Sequence, residues 1–301
     1  MGVITPRPSS AVADAQRVGQ PVVALESTIF SNLGLPSPDN EIALERCLGA
    51  VADGGAVPAV TAVLDGEVRL GLDDHEYSRI LGVAQKMAER DVPVAVAQRW
   101  DVGASTVSAS VAIAAAGGVS VFATGGIGGV HRGLDSFDVS ADLDAIGNHR
   151  VVTVSAGAKA FLDLRKTLEY LETIGVPVLG WRHGDFPAFY TRSSGLHVAH
   201  RVESANEVAA VLAAATRPTG GVLLAVPIPE HAALDRAEID AAITSALEAA
   251  DAAGVGGAAV TPYVLERIAA VTEGRSIPAN LALAENNARV AAEIAVAIAR
   301  F

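Results

Sequence analysis

Short apolar runs of strand length alternate along the chain with longer, Ala-rich stretches whose hydrophobic positions recur at helical spacing. Strands are predicted at residues 21–26, 93–97, 119–124, 151–155, 176–181 and 221–226. Helices are predicted near residues 75–89, 104–116, 158–173, 204–215, 236–252, 261–272 and 281–299. This alternation is typical of a layered α/β fold.

Two local signals refine the pattern. Residues 58–72 alternate around Asp65-Gly66, a two-residue hairpin signal, so part of the sheet is expected to be antiparallel. Ser37-Pro38 predicts the start of a helix that runs to about Ala52 and stops at Gly54-Gly55. We therefore predict one three-layer α-β-α domain with a mixed central sheet over residues 1–301, with residues 1–20 as an N-terminal extension or helix.

Composition limits where the chain works and what it binds. Half of its 301 residues are hydrophobic, and Cys47 is the single cysteine, so the chain can bury a core without disulfides and fits a reducing compartment. No signal-peptide pattern or uninterrupted apolar stretch of membrane-spanning length occurs, which predicts a cytoplasmic protein. A net charge of −12 opposes nucleic acid and anionic lipid, so a small-molecule ligand is expected. A phosphate would need a local cationic or amide-lined pocket.

Lysine is scarce, because arginine carries nearly all the positive charge and the chain has three lysines: Lys86, Lys159 and Lys166. Lys159 follows an apolar strand and a small-residue turn that is predicted to open a helix. An ammonium is disfavoured near a helix N-terminus among apolar neighbours, so a neutral, nucleophilic amine is one interpretation. An exposed lysine in a first helical turn is the other.

Glycines follow the strand that ends at Thr124, at positions Gly125, Gly126, Gly128 and Gly129. Their backbone amides can approach an anion, and His131 and Arg132 add charge. Their spacing does not match the dinucleotide-binding fingerprint, because His131 stands where its third glycine belongs. Tight turn packing is the alternative explanation.

Acidic residues surround Ser140, namely Asp138, Asp142 and Asp144. Ser140 has the position of a helix N-cap with acidic residues in the first turn. One or two carboxylates with few other ligands suit Mg²⁺ or Mn²⁺ held largely by water. Capping explains Ser140 and Asp142 equally well, but it explains Asp138 less well.

Glu26 ends an apolar strand, so its carboxylate is expected at the sheet edge where α/β sites gather. Partial burial there would raise its pKa and suit it to proton transfer. A structural glutamate bonded to the following amides is the alternative. Asn286 and Asn287 are either polar positions of a helix or ligand contacts, and the sequence pattern leaves both open.

Five segments together resemble the pseudouridine-5'-phosphate glycosidases, also called the indigoidine-synthase-A-like family. They are ALESTI (24–29), VFATGGIGGVHRG (121–133), FDVSADL (137–143), SAGAK (155–159) and PIPE (227–230). The resemblance runs in the same order from about residue 20 to the C-terminus. It implies reversible cleavage of the C–C glycosidic bond of pseudouridine 5'-phosphate to uracil and ribose 5-phosphate, in a homotrimer with one Mn²⁺, or another divalent ion such as Mg²⁺, per subunit.

The resemblance also implies residue roles. Lys159 would form a Schiff base at C1' of the ribose, Glu26 would be the acid/base, and Asp138 would hold the metal. The implied substrate contacts are Lys86 as a phosphate ligand, Val107, Ser140, Ala141 and Asp142, with Thr124, His131 and one of Asn286 and Asn287 matching further motif positions.

One loop departs from the family pattern. Many relatives read S-H-G after ESTI, whereas residues 30–34 here read FSNLG, without histidine and one residue longer. Any histidine role of this loop in base recognition or proton transfer would therefore be absent. Two other functions remain open: a Schiff-base lyase acting on another sugar phosphate, and a non-catalytic sugar-phosphate or nucleotide sensor, whose signature is tight binding without turnover.

Overall fold

The computed structural model describes residues 4–132, 138–255 and 260–301. The strands are β1 (Arg7–Pro8), β2 (Val22–Leu25), β3 (Val57–Leu64), β4 (Glu67–Leu70), β5 (Gln85–Met87), β6 (Val102–Ser105), β7 (Val121–Ala123), β8 (Val152–Ser155), β9 (Val178–Trp181), β10 (His200–Val202) and β11 (Val222–Ala225). The helices are α1 (Ser10–Val18), α2 (Asp39–Asp53), α3 (Tyr77–Ile80), α4 (Val92–Ala97), α5 (Val107–Ala116), α6 (Ala141–Asn148), α7 (Leu164–Thr173), α8 (Ala205–Ala213), α9 (Arg236–Ala252), α10 (Val260–Val271) and α11 (Ser276–Ala299).

A parallel sheet forms the centre of the molecule, with strand order β10-β9-β11-β8-β7-β2-β3. Its central strands are buried and, apart from Thr153 and Ser155 of β8, apolar, because both of their faces are covered by helices. The carboxyl ends of parallel strands open on the same edge of a sheet. The loops that follow β2, β7, β8 and β11 therefore meet at one edge.

The second half of β3 makes the sheet mixed. β3 pairs antiparallel with β4 and with β6, and β6 pairs in turn with β5. The hairpin between β3 and β4 turns at Asp65 and Gly66, both with positive φ (53° and 79°), which matches the predicted two-residue turn. The predicted fold class, a mixed sheet between helical layers, is confirmed.

Two groups of helices cover the sheet. The long helix α11 packs on β2, β7 and β8 with α2 and α8 beside it, and α5 packs with α6 on the same sheet.

The predicted N-terminal helix corresponds to α1, whose Val12 and Ala15 are buried. No helix in the described part of the chain is long and apolar enough to span a membrane. The extent of the domain, residues 1–301, stays a prediction.

Several predicted elements are wrong, each for a local reason. Residues 75–89 hold the one-turn helix α3 and the short strand β5 rather than one helix, and residues 93–97 lie in helix α4 rather than a strand. In the sequence VPVAVA valine recurs at every second position, as in a strand, but Pro93 lies in the first turn of a helix that buries Val92 and Ala95. The strands β6 and β10 were not predicted as strands.

Two predicted helix starts also differ. Helix α2 begins at Asp39, and Ser37 does not cap it, since its hydroxyl instead lies 3.3 Å from a Glu41 carboxylate oxygen. Helix α7 begins only at Leu164, where Asp163 accepts a hydrogen bond from the Lys166 amide. Residues 158–163 therefore form a loop, which places Lys159 before the helix and not at its N-terminus.

Candidate active site

A cavity of about 430 Å³ opens at the carboxyl edge of the parallel sheet. It is lined by loops that follow β2, β7 and β8, by β5 and the residues after it, and by the start of α10. Ten of the twelve predicted site residues line it: Glu26, Lys86, Val107, Thr124, His131, Asp138, Ser140, Ala141, Asp142 and Lys159. Asn286 and Asn287 do not. The fold thus brings residues that lie more than 130 positions apart in the sequence, such as Glu26 and Lys159, into one site.

Glu26 directly follows β2 and is 8% exposed. The Thr124 hydroxyl donates a hydrogen bond to its Oε1. Burial raises the pKa of the Glu26 carboxyl above its ordinary value, and the positive charge of Lys159 and the Thr124 hydrogen bond oppose that shift. A buried carboxyl with a raised pKa can both donate and accept a proton at a pH above the ordinary carboxyl range.

Lys159 lies in the loop after β8, and its backbone is fixed on both sides. Its N–H donates to the Ile127 carbonyl at 3.0 Å, and its carbonyl accepts from the Leu162 N–H at 3.0 Å. Gly157 enters this loop with φ +74°, and a Cβ there would lie 2.3 Å from the Pro187 carbonyl oxygen. Within the described ranges no carboxylate forms an ion pair with the Lys159 ammonium, so the amine is not held by a salt bridge.

The setting of Lys159 differs from the one predicted. A helix N-terminus does not lie behind it, because α7 begins five residues later. Its electrostatic neighbours are Glu26 and Lys86, since the charge of Lys159 acts on the pKa of both. The nucleophile predicted from lysine scarcity is therefore placed in the cavity, but by a loop.

Lys86 lies on the short edge strand β5, with its side chain exposed at the cavity. Partial loss of hydration lowers the pKa of its ammonium, the positive charge of Lys159 lowers it further, and the charges of Asp142 and Glu26 oppose both effects. Two lysines and two carboxylates thus influence one another across the cavity. This arrangement suits a ligand that brings its own negative charge.

Asp142 joins the glycine loop to helix α5. Its Oδ1 accepts from the Ser108 N–H at 3.0 Å and its Oδ2 accepts from the Gly128 N–H at 2.8 Å. Ser140 caps α6 as predicted, because its hydroxyl accepts from the Asp142 N–H at 3.2 Å. A Cβ on Gly128 would lie 2.2 Å from the Ser140 hydroxyl oxygen, so close packing requires this glycine. The close packing of Gly128 against Ser140 therefore also fixes where Ser140 and Asp142 lie in the site.

His131 and Asp138 lie together at one side of the cavity. The His131 N–H donates to the Asp138 carbonyl at 3.0 Å, and His131 Nε2 lies 3.8 Å from Asp138 Oδ2. Arg132, the other predicted source of charge, instead donates to the carbonyls of Ala160 and Leu162. In residues 4–132, 138–255 and 260–301 no three His, Cys, Asp or Glu side chains cluster in a metal-binding arrangement.

Of the two neighbouring asparagines, Asn287 supports the site and Asn286 does not contact it. Asn287 is completely buried, and its Nδ2 donates to the carbonyls of Thr124 (2.8 Å) and Gly125 (3.2 Å). It thereby holds the backbone of the residue whose hydroxyl contacts Glu26. The ligand-contact interpretation of Asn286 and Asn287 gains no support, since neither residue lines the cavity.

We expect Asn287→Ala to lower the free energy of unfolding by about 1–3 kcal/mol, because the Thr124 carbonyl loses its side-chain donor and the Gly125 carbonyl keeps only the Ala156 N–H. Asn286→Ala is the matched control, since the Asn286 side chain is half-buried and makes no hydrogen bond within the described residues. Urea denaturation of both variants measures the difference. Equal stability of the two variants would contradict the bracing role of Asn287.

Asn280 is a cavity residue that the sequence analysis missed. Asn280 lines the cavity, and its Oδ1 would lie 3.5 Å from a Cβ on Gly125. This oxygen is buried and has no hydrogen-bond partner in the part of the chain that the structure describes, which is unusual for a buried carboxamide. Asn280 and Asn287 are seven residues apart, so helical periodicity puts them on one face of α11, and this signal could have found Asn280.

Phe189 was also missed. It is a non-glycine residue with φ +60°. A Cβ added to Gly126 would lie 2.5 Å from Cδ2 of the Phe189 ring, so the ring fills the space beside this glycine. Its N–H donates to the Ala156 carbonyl at 3.1 Å, so the loop after β9 packs across the loops that carry Thr124 and Lys159. Phe189 thus forms an apolar wall of the cavity. No sequence signal marks a single left-handed residue in an irregular loop.

The fold and the site define an α/β protein with a lysine and a buried glutamate in one polar cavity at the carboxyl edge of a parallel sheet, an arrangement suited to covalent chemistry on a small anionic ligand. The family model for Indigoidine synthase A like protein matches residues 11–297. The chain belongs to this family, as its motifs predicted.

Relatives of known name agree with that assignment. The chain is 49% identical over 294 residues, covering 96% of the chain and 95% of the relative, to a protein of Caldanaerobacter subterraneus subsp. tengcongensis named pseudouridine-5'-phosphate glycosidase. A protein of the same name from Sorangium cellulosum is 49% identical, covering 96% of the chain and 92% of the relative.

Two solved structures share the fold. One is the prealnumycin C-glycosynthase AlnA in complex with ribulose 5-phosphate, with a TM-score of 0.90 and 37% identity, covering 98% of this chain and 97% of the other. The second is an indigoidine synthase A-like protein from Thermotoga maritima, with a TM-score of 0.88 and 33% identity, covering 100% of this chain and 98% of the other.

Proposed function

We propose that this chain reversibly cleaves the C–C glycosidic bond of pseudouridine 5'-phosphate to give uracil and ribose 5-phosphate. The observation that carries the proposal is the presence of Lys159 and Glu26 in one cavity, close enough that the lysine charge acts on the pKa of the glutamate. The names of relatives that are 49% identical over nearly the whole chain support the choice of substrate.

The chemistry requires an electron sink at C1', because protonating a leaving oxygen, as O-glycosidases do, cannot break a C–C bond. In the proposed reaction Glu26 protonates the ring oxygen as the bond between C1' and that oxygen breaks, and the Lys159 amine bonds to C1'. After C5 of uracil is protonated, the bond between C1' and C5 breaks. The lysine nitrogen lone pair forms the imine, and uracil takes the bonding electrons. Water then releases ribose 5-phosphate and restores the amine.

The remaining cavity residues divide between the two ends of the substrate in this proposal. Lys86 and the first turn of α5 at Val107 receive the phosphate, since an ammonium and helix N-terminal amides both favour an anion. Ser140, Ala141 and Asp142 contact the ribose. Thr124 positions Glu26, and His131 and Asn280, which both line the cavity, are left for the base end.

We also propose one divalent ion, Mn²⁺ with Mg²⁺ as the alternative, bound by Asp138. The Asp138 side chain is 55% exposed, with His131 Nε2 3.8 Å from its carboxylate, so the ion would have one carboxylate ligand and would keep most of its water. When bound, the ion supplies positive charge that stabilises developing negative charge. The homotrimer and the cytoplasmic location stay predictions.

Asp138→Asn is expected to raise the Mn²⁺ concentration for half-maximal activity by about tenfold or more. Mutating even an outer-shell partner of a bound metal lowers its affinity by about 10–100-fold, and Asp138 is proposed as a direct ligand. Free Mn²⁺ measured by electron paramagnetic resonance reports binding without turnover. Asp144→Asn is the control, because Asp144 is exposed on α6 and accepts from the Tyr170 hydroxyl outside the cavity. Unchanged Mn²⁺ binding by Asp138→Asn would contradict the assignment.

Release of uracil from pseudouridine 5'-phosphate, followed by chromatography, tests the function. Uridine 5'-phosphate, which has a C–N bond, and pseudouridine, which lacks phosphate, are the matched substrates, and both are expected to react poorly. Binding of ribose 5-phosphate without uracil release would favour the sensor. Trapping of other sugar phosphates on Lys159, again without uracil release, would favour a different Schiff-base lyase.

A further inference from the structure

Lys86 is carried by a strand of only three residues at the edge of the sheet. β5 pairs with β6 alone, with Lys86 opposite Ala104. The strand is reached through a four-residue segment, residues 81–84, which we term the pre-β5 loop. Val83 at its tip is 86% exposed, whereas Leu81 and Ala84 at its two ends pack against the core. The position of Lys86 therefore depends on what anchors each end of β5.

The downstream end of β5 is anchored by burial. Met87 is completely buried, and its carbonyl accepts from the Thr106 N–H at 2.9 Å. At the upstream end Ala84 is buried, and its N–H donates to Asn32 Oδ1 at 3.1 Å. The backbone N–H of Asn32 also donates to the Gly82 carbonyl, at 3.4 Å. Asn32 thus contacts the pre-β5 loop at two points.

Asn32 belongs to the loop that follows Glu26, residues 27–35, which we term the post-β2 loop, and this loop is itself well fixed. The Thr28 hydroxyl donates to the Ser105 carbonyl at 2.7 Å, and the Ser31 hydroxyl donates to the Thr28 carbonyl at 2.9 Å. The buried Asn40 of α2 donates from Nδ2 to the Phe30 carbonyl (3.0 Å) and, on the other loop, to the Leu81 carbonyl (3.3 Å). A rigid loop therefore connects Glu26 to the strand of Lys86.

We infer that Asn32 is a positioning residue that fixes Lys86 relative to Glu26 and thereby sets the affinity of the site for the 5'-phosphate of its substrate. The inference rests on the proposed function, because it requires Lys86 to contact the phosphate. The Asn32 side chain is exposed, so its hydrogen bond contributes little to the core. A small displacement of a binding group is enough to weaken a site, which makes geometry its main effect.

Asn32→Ala tests this, with the dissociation constants for ribose 5-phosphate and ribose measured by calorimetry on the full chain. Loss of the anchor is expected to weaken binding of ribose 5-phosphate by about fivefold, the equivalent of one hydrogen bond. Binding of ribose and kcat are expected to stay unchanged, while KM for pseudouridine 5'-phosphate rises. Asn206→Ala, an exposed asparagine on α8, is the control and should match the wild type.

A double-mutant cycle with Lys86→Ala separates positioning from a general structural effect. If Asn32 acts through Lys86, Asn32→Ala is expected to cost nothing further in the Lys86→Ala background. Additive losses, or equal losses for ribose and ribose 5-phosphate, would overturn the inference. A wild-type chain that binds ribose 5-phosphate but releases no uracil contradicts only the proposed function. A wild-type chain that does not bind ribose 5-phosphate contradicts both.

Discussion

Lys159→Ala is expected to reduce uracil release by about 10⁴-fold or more, the scale on which enzymes lose activity when a covalent nucleophile is removed. The physical reason is that without the amine no imine forms at C1', and the C–C bond has no electron sink. The fold should persist, since Lys159 is half-buried in a loop whose hydrogen bonds come from its backbone. Lys159→Arg is expected to be equally inactive, because a guanidinium stays protonated.

Borohydride reduction in the presence of ribose 5-phosphate and Mn²⁺ measures the same step directly. Peptide mass spectrometry is expected to find one ribose-phosphate adduct, on Lys159, and none in Lys159→Ala. Lys166→Ala is the matched control, because Lys166 lies outside the cavity and pairs with Asp163 at 3.4 Å. An adduct on Lys86, or no adduct with an active enzyme, would remove Lys159 from its role.

The parallel core was predictable from the sequence because its strands are buried on both faces and form short runs of mostly apolar residues. Glu26 and Thr124 could be placed for the same reason, since a polar residue that ends such a run lies at the carboxyl edge. The segment around α4 was not predictable in this way. Its alternating apolar residues fit a strand, and the choice of helix depends on packing against β3 and β4.

The residues of the site likewise divide into those that the sequence could predict and those that it could not. Lysine scarcity singled out Lys159, which lines the cavity, and its role as nucleophile stays a prediction. The predicted helix N-terminus behind it is wrong, because the loop of residues 158–163 precedes α7. Residues that act through shape or through long-range contacts carry no local signal. Phe189 depends on a left-handed backbone in a loop, and Asn32 is significant only because residue 84 folds back onto it.

Glu26→Gln is expected to lower kcat by about 10²–10⁴-fold, the usual contribution of a general acid or base. Glutamine keeps the size of the side chain and an oxygen that accepts from the Thr124 hydroxyl, but it cannot transfer a proton.

In the wild type, ring opening needs the protonated carboxyl of Glu26. Because burial raises the pKa of Glu26, kcat is expected to stay high above the ordinary carboxyl range and to fall as pH rises through the raised pKa. If kcat of Glu26→Gln still fell with rising pH in the same way, the titrating group would be a residue other than Glu26.

The same substitution is expected to stabilise the protein at neutral pH. The folded-state pKa of Glu26 lies above its value in the unfolded chain, so the folded protein binds this proton more tightly. Its stabilising contribution is therefore fully present below the unfolded pKa, about 4.3, and is lost as pH rises through the folded pKa. Glutamine has no such dependence, so the difference in Tm between Glu26→Gln and the wild type should grow over that interval and then level off. Exposed Glu45, changed to Gln, is the control and should give no such trend. A Tm difference that does not vary with pH would show that the carboxyl carries no desolvation cost, and the conflict between stability and catalysis at Glu26 would not exist.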